Sequence, residues 1–495
     1  MNESFQLIFP ILLPIFSGLL IGFVRPMRKP RVRCMAFIVT LVLNTILVIQ
    51  ILVRPDSYLE LFRLTDRLLI LFRTDDLARL FCVLASAMFL FVGVYCPGYM
   101  KHHGNEGRFY MFYLIALGML MGFGLSGNLM TLYLFLELLT FASIPLVLHS
   151  MKREAITAAL KYLYYSIAGA SLALIGFFFI HAYGTTLTFT PGGVLDMHKL
   201  AGREEQLLFV TLLTIIGFGA KAGMFPLHVW LPVAHPVAPA PASALLSGVI
   251  TKIGIFAVIR FVYYLTGPAI IQGTWMQTAW ISIALFTSVM GSLLAFREQE
   301  LKRRLAYSTV SQIGYIMFGL AVLTVTSLAG ALLHTVFHSI AKNALFLISG
   351  VIILGTHKTE VADMRGIGKK MPVTLVCFAV LAITLVGIPS TGGFISKWNL
   401  IAGSLGADTG FFSWLGPCLL LLCALLAAGY LLPIVINGFF GQACPDSGKE
   451  AGSGKLLSKL SMGLPILLLS AAALIFGIFS GSLVSLCERI AGGLL

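Results

Sequence analysis

Long apolar stretches alternate with short polar loops along almost the whole chain. A stretch of about 20 apolar residues, wound as a helix with a rise of about 1.5 Å per residue, is long enough to cross about 30 Å of hydrocarbon. On this count the sequence predicts fourteen membrane spans. They lie near residues 7–24, 35–53, 77–96, 109–126, 128–149, 161–183, 207–231, 243–266, 275–296, 305–325, 328–355, 373–402, 411–440 and 460–487.

The composition is typical of an all-α polytopic membrane protein. Of the 495 residues, 58% are hydrophobic and 11% charged, and the mean hydropathy is +0.95, values that exclude an ordinary soluble domain. The net charge of +14 could indicate a nucleic-acid partner, but the basic residues are concentrated in loops between spans. We therefore expect the lipid bilayer as the surroundings and no nucleic-acid partner.

The basic loops alternate along the chain, and basic loops of membrane proteins stay in the cytoplasm. This pattern predicts a multi-pass protein of the inner (plasma) membrane with both termini outside the cytoplasm. The first span has no basic leader and no small-residue cleavage site, so we interpret it as retained rather than as a signal peptide. The predicted cytoplasmic markers include Arg25, Arg28, Lys101, Arg108, Lys152, Arg153, Arg297, Lys302, Arg303, Arg304, Lys358 and Arg365.

Two of the predicted spans are interrupted. The seventh holds Lys221 followed by Pro226, and the twelfth holds Pro389 and Gly392 before Lys397. Proline removes an amide donor and clashes with the preceding turn, so both helices must break. Broken helices line the ion paths of transporters that are built from repeats. The odd number of spans from one break to the next predicts two inverted five-helix repeats.

The chain then divides into four parts. Residues 1–108 hold three leading spans and an interfacial segment at 54–76, whose function is not readable. The first repeat covers 109–266 and the inverted second repeat 275–440. Residues 441–495 hold a solvated loop at 441–459 and a trailing span.

Five ionisable residues lie inside the apolar stretches: Glu137, Lys221, Lys252, Lys342 and Lys397. A charge at mid-bilayer costs about 2.5–3.5 kcal/mol on insertion scales, and such residues mark ion or proton pathways by default. The alternative is that some of them reach the headgroups with long stems or only lock helices together. Five such residues together favour a pathway.

Glu137 and Lys221 are the natural pair in this set. A close pair keeps both groups charged, whereas separation lets burial favour their neutral forms, so the pair can act as a switch. A fixed salt bridge that joins two helices is the alternative interpretation.

His334, His338 and Lys342 follow one another at i, i+4 and i+8, which places them on one helical face. Such a row can pass protons through water. The alternatives are a metal site shared by the two histidines, which lacks an acidic ligand, and core histidines bonded to carbonyls. Lys252 has no acid in its own helix and is expected to be neutral or transiently protonated, and Lys397 is placed to end the row.

Other polar residues are harder to assign. His228 and His235 flank the first break and either contact the row or cap freed carbonyls. We interpret Ser308, Ser311 and Gln312 as a feature of a helix start rather than as a site. These three follow LKRRLAY.

The sequence shows no redox centre and no cofactor or metal site. Its eight cysteines are scattered without a CxxC pair. Gly122, Gly124 and Gly127 spell GxGxxG, but they end an apolar span with no preceding strand, so they indicate helix packing instead of dinucleotide binding.

Several strings together carry a family resemblance: PLHVWLPVAHPVAPAPASALLSGVITKIG, LKRRLAYSTVSQIGYI, HTVFHSIAKNALFLISG, DMRGIGKKMP and GIPSTGGFISKWNL. They resemble the antiporter-like subunits shared by respiratory complex I, Mrp-type cation/proton antiporters and membrane-bound hydrogenase and formate hydrogenlyase complexes. The resemblance covers most of residues 75–440. It implies a fourteen-helix fold with two inverted repeats and a lateral chain of charges at the midplane.

By motif, the resemblance also assigns roles to the candidate residues. Glu137 and Lys221 match the family's Glu–Lys pair, and Lys252 its connecting lysine. His334, His338 and Lys342 match the central residues, and Lys397 the distal lysine. Lysine instead of glutamate at 397 disfavours one branch of complex I.

The resemblance implies a non-redox subunit that moves protons, or exchanges Na⁺ for H⁺, in an energy-converting complex. The string AHPVAPAPASALLSG is most similar to hydrogenase and formate-hydrogenlyase subunits. Expected partners are other membrane subunits, including further antiporter-like ones, and a hydrogenase or quinone-reductase redox module. The alternatives are a subunit of an Mrp-type Na⁺/H⁺ antiporter or of complex I, and a scaffold without transport.

Overall fold

The computed structural model describes residues 3–442 and 460–495, and these are mostly helical. Most of the predicted loop 441–459 lies outside the described residues. The helices that carry the first six predicted spans are α1 (Phe9–Phe23), α2 (Pro30–Leu52), α3 (Asp76–Met100), α4 (Glu106–Gly124), α5 (Leu129–Val147) and α6 (Arg153–Tyr183).

The middle of the chain is more fragmented. Its helices are α7 (Met197–Leu200), α8 (Glu204–Ala222), α9 (Trp230–Val237), α10 (Ala240–Leu245), α11 (Thr251–Phe261), α12 (Pro268–Ile271) and α13 (Trp275–Arg297). A π-helical segment, Leu246–Ile250, joins α10 to α11, and a second, Val262–Thr266, extends α11. The remaining helices are α14 (Leu301–Ala321), α15 (Val325–Thr356), α16 (Pro372–Val386), α17 (Gly392–Leu405), α18 (Phe412–Phe440), α19 (Leu460–Ile478) and α20 (Gly481–Gly492).

Twelve of the described helical segments are long and apolar enough to cross a membrane. The prediction of an all-α polytopic membrane protein is therefore confirmed. The two other predicted spans correspond to α14, which begins with basic residues, and to the pair α16 and α17, which are shorter. The count of fourteen stays a prediction.

Both predicted breaks are present in the structure. The helix α8 ends at Ala222, Gly223 follows with φ of +90°, and α9 begins at Trp230. The helix α16 ends at Val386, Gly387 adopts φ of +87°, and α17 begins at Gly392. A left-handed φ is one that glycine adopts without strain, so glycine stands directly after each helix end. The inverted relation of the two repeats stays a prediction.

The helix α15 is the centre of the described fold. It is buried along most of its 32 residues, on its apolar faces and on the face that carries polar side chains alike. It packs against α10, α14, α16, α17, α19 and α20. A helix that is buried on all sides requires such surroundings. The row His334, His338 and Lys342 therefore lies in the interior of the protein.

The segment 54–76 contains a β-hairpin that was not predicted from the sequence. Strand β1 (Tyr58–Arg63) pairs antiparallel with β2 (Leu69–Arg73). The Asn128 side chain donates to the Leu69 carbonyl at 2.8 Å, and Arg73 donates to the Phe189 carbonyl at 3.1 Å. The hairpin thus lies on the face that also carries the loops after α4 and α6.

The glycines of the GxGxxG string are packing residues. A Cβ at Gly122 would overlap the Phe135 ring, and one at Gly124 would lie 2.6 Å from the Cys82 sulfur. Side chains at these positions would separate α4 from α5 and α3. The packing interpretation of the string agrees with this geometry.

A buried ion pair joins α3 to α11. Asp75 caps α3 by accepting from the Ala78 amide, and Arg260 donates to both carboxylate oxygens at 2.6 and 2.8 Å. The Arg260 guanidinium also lies over the Tyr264 ring, 4.5 Å from its centroid. Burial acts to raise the pKa of the Asp75 carboxyl, but the charge and hydrogen bonds of Arg260 outweigh it and hold that pKa below its usual value.

Replacing Asp75 with Ala should lower the free energy of unfolding by about 3–5 kcal/mol, because Arg260 would remain charged without its partner. Asp75→Asn keeps the helix cap and removes only the charge, so it should lower the free energy of unfolding by a smaller amount than Asp75→Ala. Thermal unfolding in detergent measures both. Glu60→Ala, which removes an exposed pair with Arg63, is the control and should change little.

The Asp75–Arg260 pair also makes the free energy of unfolding depend on pH in the acid range. A carboxyl whose folded pKa is lowered adds stability above its unfolded pKa, and this contribution is lost as the pH falls through the folded value. The Asp75→Asn variant should therefore lose less stability than the native protein as the pH falls. An unchanged acid profile would contradict the assignment.

Candidate functional site

Lys221 occupies the last turn of α8, immediately before the first break, and is 3% exposed. Its Nζ donates to Thr140 Oγ1 at 2.6 Å, Tyr162 OH at 2.8 Å and Ser166 Oγ at 3.2 Å. The amine also lies 4.5 Å from the centroid of the Tyr162 ring. Three hydroxyls and an aromatic face therefore surround this cation.

Glu137 lies on α5, one turn before Thr140, and it is half-buried. Its Oε1 is buried and has no hydrogen-bond partner. The described residues place no carboxylate within salt-bridge distance of Lys221. The structure thus holds the predicted pair in a separated arrangement, in which Lys221 donates to Thr140, one turn after Glu137 on α5.

Lys252 and His338 form the most direct contact among the candidate residues. The Lys252 Nζ lies 2.8 Å from the His338 Nδ1, and it also donates to the Ser247 carbonyl at 2.6 Å. An amine and an imidazole nitrogen at this distance share one proton, because one of the two must accept. His338 Nε2 is buried and has no hydrogen-bond partner among the described residues.

His334 lies one turn before His338, and the two rings stack with centroids 6.3 Å apart. Its Nε2 lies 2.9 Å from the Gln312 amide oxygen, and its Nδ1 lies 2.9 Å from Ser396 Oγ. An amide oxygen only accepts, so Nε2 carries hydrogen and Nδ1 is the nitrogen that changes protonation. His334 therefore connects α15 to α14 and α17.

Lys397 lies in the second turn of α17, after the second break, and is 7% exposed. Its Nζ donates to the Leu385 and Val386 carbonyls at 2.7 and 2.9 Å. These carbonyls belong to the last turn of α16, where a helix has no amides left to pair them. The Tyr315 ring lies between Lys397 and His334, 4.9 Å from the amine and 5.6 Å from the imidazole.

Lys342 is fully buried on α15 and donates to Ser308 Oγ and, at 2.9 Å, to the Leu305 carbonyl. Ser308 and Gln312 thus hold Lys342 and His334, respectively. The interpretation of these residues as a feature of a helix start missed this role. Ser308 and Gln312 are four residues apart and therefore share one face of α14, which is the signal that could have revealed them.

A further buried lysine was missed because its sequence position is that of a loop. Lys302 lies in the first turn of α14, is 6% exposed and donates to the Ala238 carbonyl at 2.8 Å. Ala238 lies between α9 and α10, at the end of the broken region. From the sequence, Lys302 was expected only as a cytoplasmic marker.

The two histidines near the first break differ. His235 is completely buried, and its ring stacks on Phe346 of α15 with centroids 4.5 Å apart. Neither ring nitrogen has a partner in the described part of the chain. Lys302, Lys342 and Lys252 are the charged groups near that ring. His228 lies beside Phe225, with ring centroids 6.1 Å apart, away from this cluster.

Six of the seven candidate residues form two groups, and Lys342 lies apart from both with its partners Ser308 and Leu305. Lys252, His338, His334 and Lys397 are linked by hydrogen bonds and ring contacts, whereas Glu137 and Lys221 have their own hydroxyl cluster. Within residues 3–442 and 460–495, no direct side-chain hydrogen bond joins the two groups. The same residues contain no cluster of three or more His, Cys, Asp or Glu that could hold a metal.

The family model described as NADH:quinone oxidoreductase/Mrp antiporter, transmembrane, matches residues 126–423. An NADH-quinone oxidoreductase subunit of Desulforudis audaxviator (strain MP104C) is 34% identical over 425 residues, which cover 83% of this chain and 82% of that protein. An Na(+)/H(+) antiporter subunit of Bacillus subtilis (strain 168) is 29% identical over 437 residues, 88% of this chain and 87% of that protein. Hydrogenase-4 component B of Escherichia coli (strain K12) is 32% identical over 339 residues, 66% of this chain and 50% of that protein.

Solved structures share the fold over the full length. A chain of the Mrp complex from Dietzia sp. DQ12-45-1b matches with a TM-score of 0.85, 22% identity, and coverage of 100% of this chain and 98% of that chain. A chain of respiratory complex I from Thermus thermophilus with bound NADH matches with a TM-score of 0.80, 22% identity, and coverage of 99% and 100%. At this identity the likeness shows the fold alone.

The contact between Gln312 and His334 predicts energetic coupling. Gln312→Leu should lower the free energy of unfolding by about 1–3 kcal/mol, because it leaves the imidazole N–H buried without an acceptor. In combination with His334→Phe, the two changes should be non-additive by about 0.5–3 kcal/mol. Thermal unfolding of the single and double variants measures this coupling.

The matched control uses another buried glutamine. Gln277 on α13 donates to the Ala321 carbonyl at 3.0 Å and has no bond to His334. Gln277→Leu combined with His334→Phe should therefore be additive. Equal coupling in both pairs would refute the specific contact.

Proposed function

The chain belongs to the NADH:quinone oxidoreductase/Mrp antiporter transmembrane family, and on this premise we propose that it is a proton-translocating subunit without a redox role of its own. The membership confirms the resemblance found in the sequence. The protein is an antiporter-like, multi-pass membrane subunit of the kind found in complex I, Mrp and hydrogenase complexes. The proton route, its residues and the complex in which it works are the proposal.

The hydrogen bond between Lys252 and His338 carries the proposal. It joins two buried basic groups that can each hold the shared proton, at 2.8 Å, inside an apolar bundle. From His338 the route continues by ring stacking to His334 and then past Tyr315 to Lys397. Hard cations prefer oxygen ligands, and this row presents basic nitrogens, so its chemistry favours H⁺ over Na⁺.

Glu137 and Lys221 would act as the gate at the other end. In the separated arrangement the amine is held by hydroxyls, and the buried carboxyl oxygen lacks a partner. Closure of the pair would stabilise both charges, and opening would release a proton from the site. A change of charge at Lys221 then biases Lys252 electrostatically, because burial leaves such interactions weakly screened.

Net transport requires one proton route from the row to the cytoplasmic face and another to the opposite face. Lys302 and His235 lie near Lys342 and Lys252, at the end of α14 that the basic loops assign to the cytoplasm. Lys397 lies at the far end of the row. We place proton uptake and release at these two ends, and both chain termini outside the cytoplasm, in the plasma membrane.

The kind of complex is proposed from local sequence. Relatives from quinone-reductase, hydrogenase and antiporter complexes match at 34%, 32% and 29% identity. The string AHPVAPAPASALLSG, which contains His235 and forms α10, favours a hydrogenase-type complex with a redox module. An Mrp-type assembly, driven by ion gradients alone, is the second candidate.

Replacing Lys252 with Met should reduce proton movement by about a hundredfold or more, since a positioned proton donor typically contributes that much. Glu137→Ala and Lys221→Ala should abolish it while the complex still assembles. The measurement is a pH-sensitive dye in proteoliposomes containing the purified complex, in sodium-free buffer. Lys199→Gln, in an exposed loop, is the control and should transport normally.

Normal transport by Lys252→Met or Lys221→Ala would support a scaffold instead. If the native protein transports only when Na⁺ is added, the transported ion is Na⁺ instead of H⁺.

Purification in mild detergent tests the partners. A hydrogenase-type complex should yield further antiporter-like subunits together with iron–sulfur and nickel-containing subunits, identified by mass spectrometry and metal analysis. Recovery of small antiporter subunits with no redox protein would instead favour the Mrp-type assembly.

A further inference from the structure

A cavity of about 780 Å³ lies apart from the candidate proton route. One face of α3 forms its long wall, from Asp76 and Arg79 at one end to Phe91 at the other. This distance is 15 residues, or about 22 Å of helix. The opposite walls come from α15, α19 and α20. The cavity opens on the outer surface beside Leu52 and Phe476, each of which is 46% exposed.

The cavity is polar at one end and apolar along the rest of its length. Beyond Arg79, the α3 wall continues with side chains such as Val83, Ala87 and Phe91. Val336 and Ile340 of α15 and Leu469 of α19 face the same space. An amphiphile has this same division between a charged head and an apolar tail.

The polar end carries more positive than negative charge. Its charged residues are Arg54, Arg79, Arg489, Asp56 and Asp76. Arg79 pairs with both aspartates, at 2.8 and 3.1 Å, and its buried Nε has no partner. Arg54 and Arg489 are exposed, and neither has a carboxylate partner within the described residues. Two arginines are thus available for an anionic group at the rim.

The position of the cavity favours a lipid. Its charged end lies where α2 ends and α3 begins, at the boundary of the apolar spans, and its mouth opens toward the surface that the bilayer covers. A single extended acyl chain is narrower than a helix of about 10 Å in diameter, and it matches an apolar wall formed along one helix face.

We propose that this cavity binds one anionic phospholipid, with its phosphate at Arg54 and Arg489 and one acyl chain along α3. Arginine is suited to phosphate because its planar fork donates two parallel hydrogen bonds. The acyl chain stabilises the apolar wall through close van der Waals packing. The protein with an occupied cavity should therefore be more stable than the protein without the lipid.

The site lies behind the helix that carries the proton row. Val336 and Ile340 are four residues apart on α15 and flank His338 in sequence, so they share a face that is turned away from it. A bound acyl chain would therefore support α15 from the side opposite to Lys252. Lipid binding itself does not depend on the proposed transport function.

The test uses the protein purified in mild detergent with the partners that remain bound. Native mass spectrometry counts retained phospholipid, and thermal unfolding is followed with added phosphatidylglycerol, phosphatidylcholine or inorganic phosphate. Phosphatidylglycerol should be retained and should raise the unfolding temperature, whereas the other two should do so weakly or not at all. The double variant Arg54→Gln/Arg489→Gln should bind phosphatidylglycerol at least about tenfold more weakly.

Two further variants separate the headgroup from the chain. Ala87→Phe fills the apolar part without changing charge, so it should also lower retention. Lys199→Gln removes a positive charge from the same face away from the cavity and should bind normally. Equal retention of both phospholipids, or normal binding by the arginine double variant, would overturn the proposal.

A photo-crosslinker at position 87 identifies the occupant in native membranes. Crosslinks to phospholipid support the proposal. Crosslinks to a polypeptide would assign the cavity to a partner subunit and overturn it. Stabilisation by inorganic phosphate equal to that by phosphatidylglycerol would also overturn it, since the acyl chain would then contribute nothing.

Discussion

The need to satisfy buried amines governs the interior of this protein. An ammonium group taken out of water without acceptors is too costly to persist, so each buried lysine requires oxygen or nitrogen partners. Carbonyls of regular helices are mostly paired within the helix, although Lys342 donates to one of them, the Leu305 carbonyl of α14. Irregular segments provide acceptors for three other lysines: Lys397 takes the free carbonyls at the end of α16, Lys252 takes one from the π-helical segment, and Lys302 takes one between α9 and α10. The helix breaks and the lysines are thus parts of one arrangement.

The type of hydrogen-bond partner distinguishes charged groups that hold helices together from amines that can lose a proton. Arg260 is held by both oxygens of Asp75, an arrangement that keeps both groups ionised and fixes α3 against α11. The buried lysines have carbonyls, hydroxyls or an imidazole instead. Neutral acceptors stabilise the ammonium form less than a carboxylate does, so these amines remain able to lose a proton. An interior built only from pairs like Asp75 and Arg260 would be rigid and could not carry protons.

The sequence predicted the elements that depend on local chemistry. Apolar length located the helices, and proline and glycine located both breaks. Improbable charges identified Lys252 and Lys397, and helical spacing identified His334 and His338; the structure brings these four residues together. The sequence did not predict which neutral side chains would form hydrogen bonds with these ionisable residues. Ser308 and Gln312 are unremarkable within α14, and only the packing of α14 against α15 gives them partners. Lys302 was misjudged because basic residues beside a span usually face water. The hairpin was missed because its strands are only six and five residues long.

The two breaks, although similar in sequence, are used differently. Lys221 precedes its break and reaches hydroxyls of neighbouring helices, with Glu137 one turn from them, whereas Lys397 follows its break and takes the carbonyls that the break exposes. A carboxylate near one amine and only neutral acceptors near the other make the two ends unequal toward a proton. The two broken helices therefore hold their lysines in chemically different surroundings.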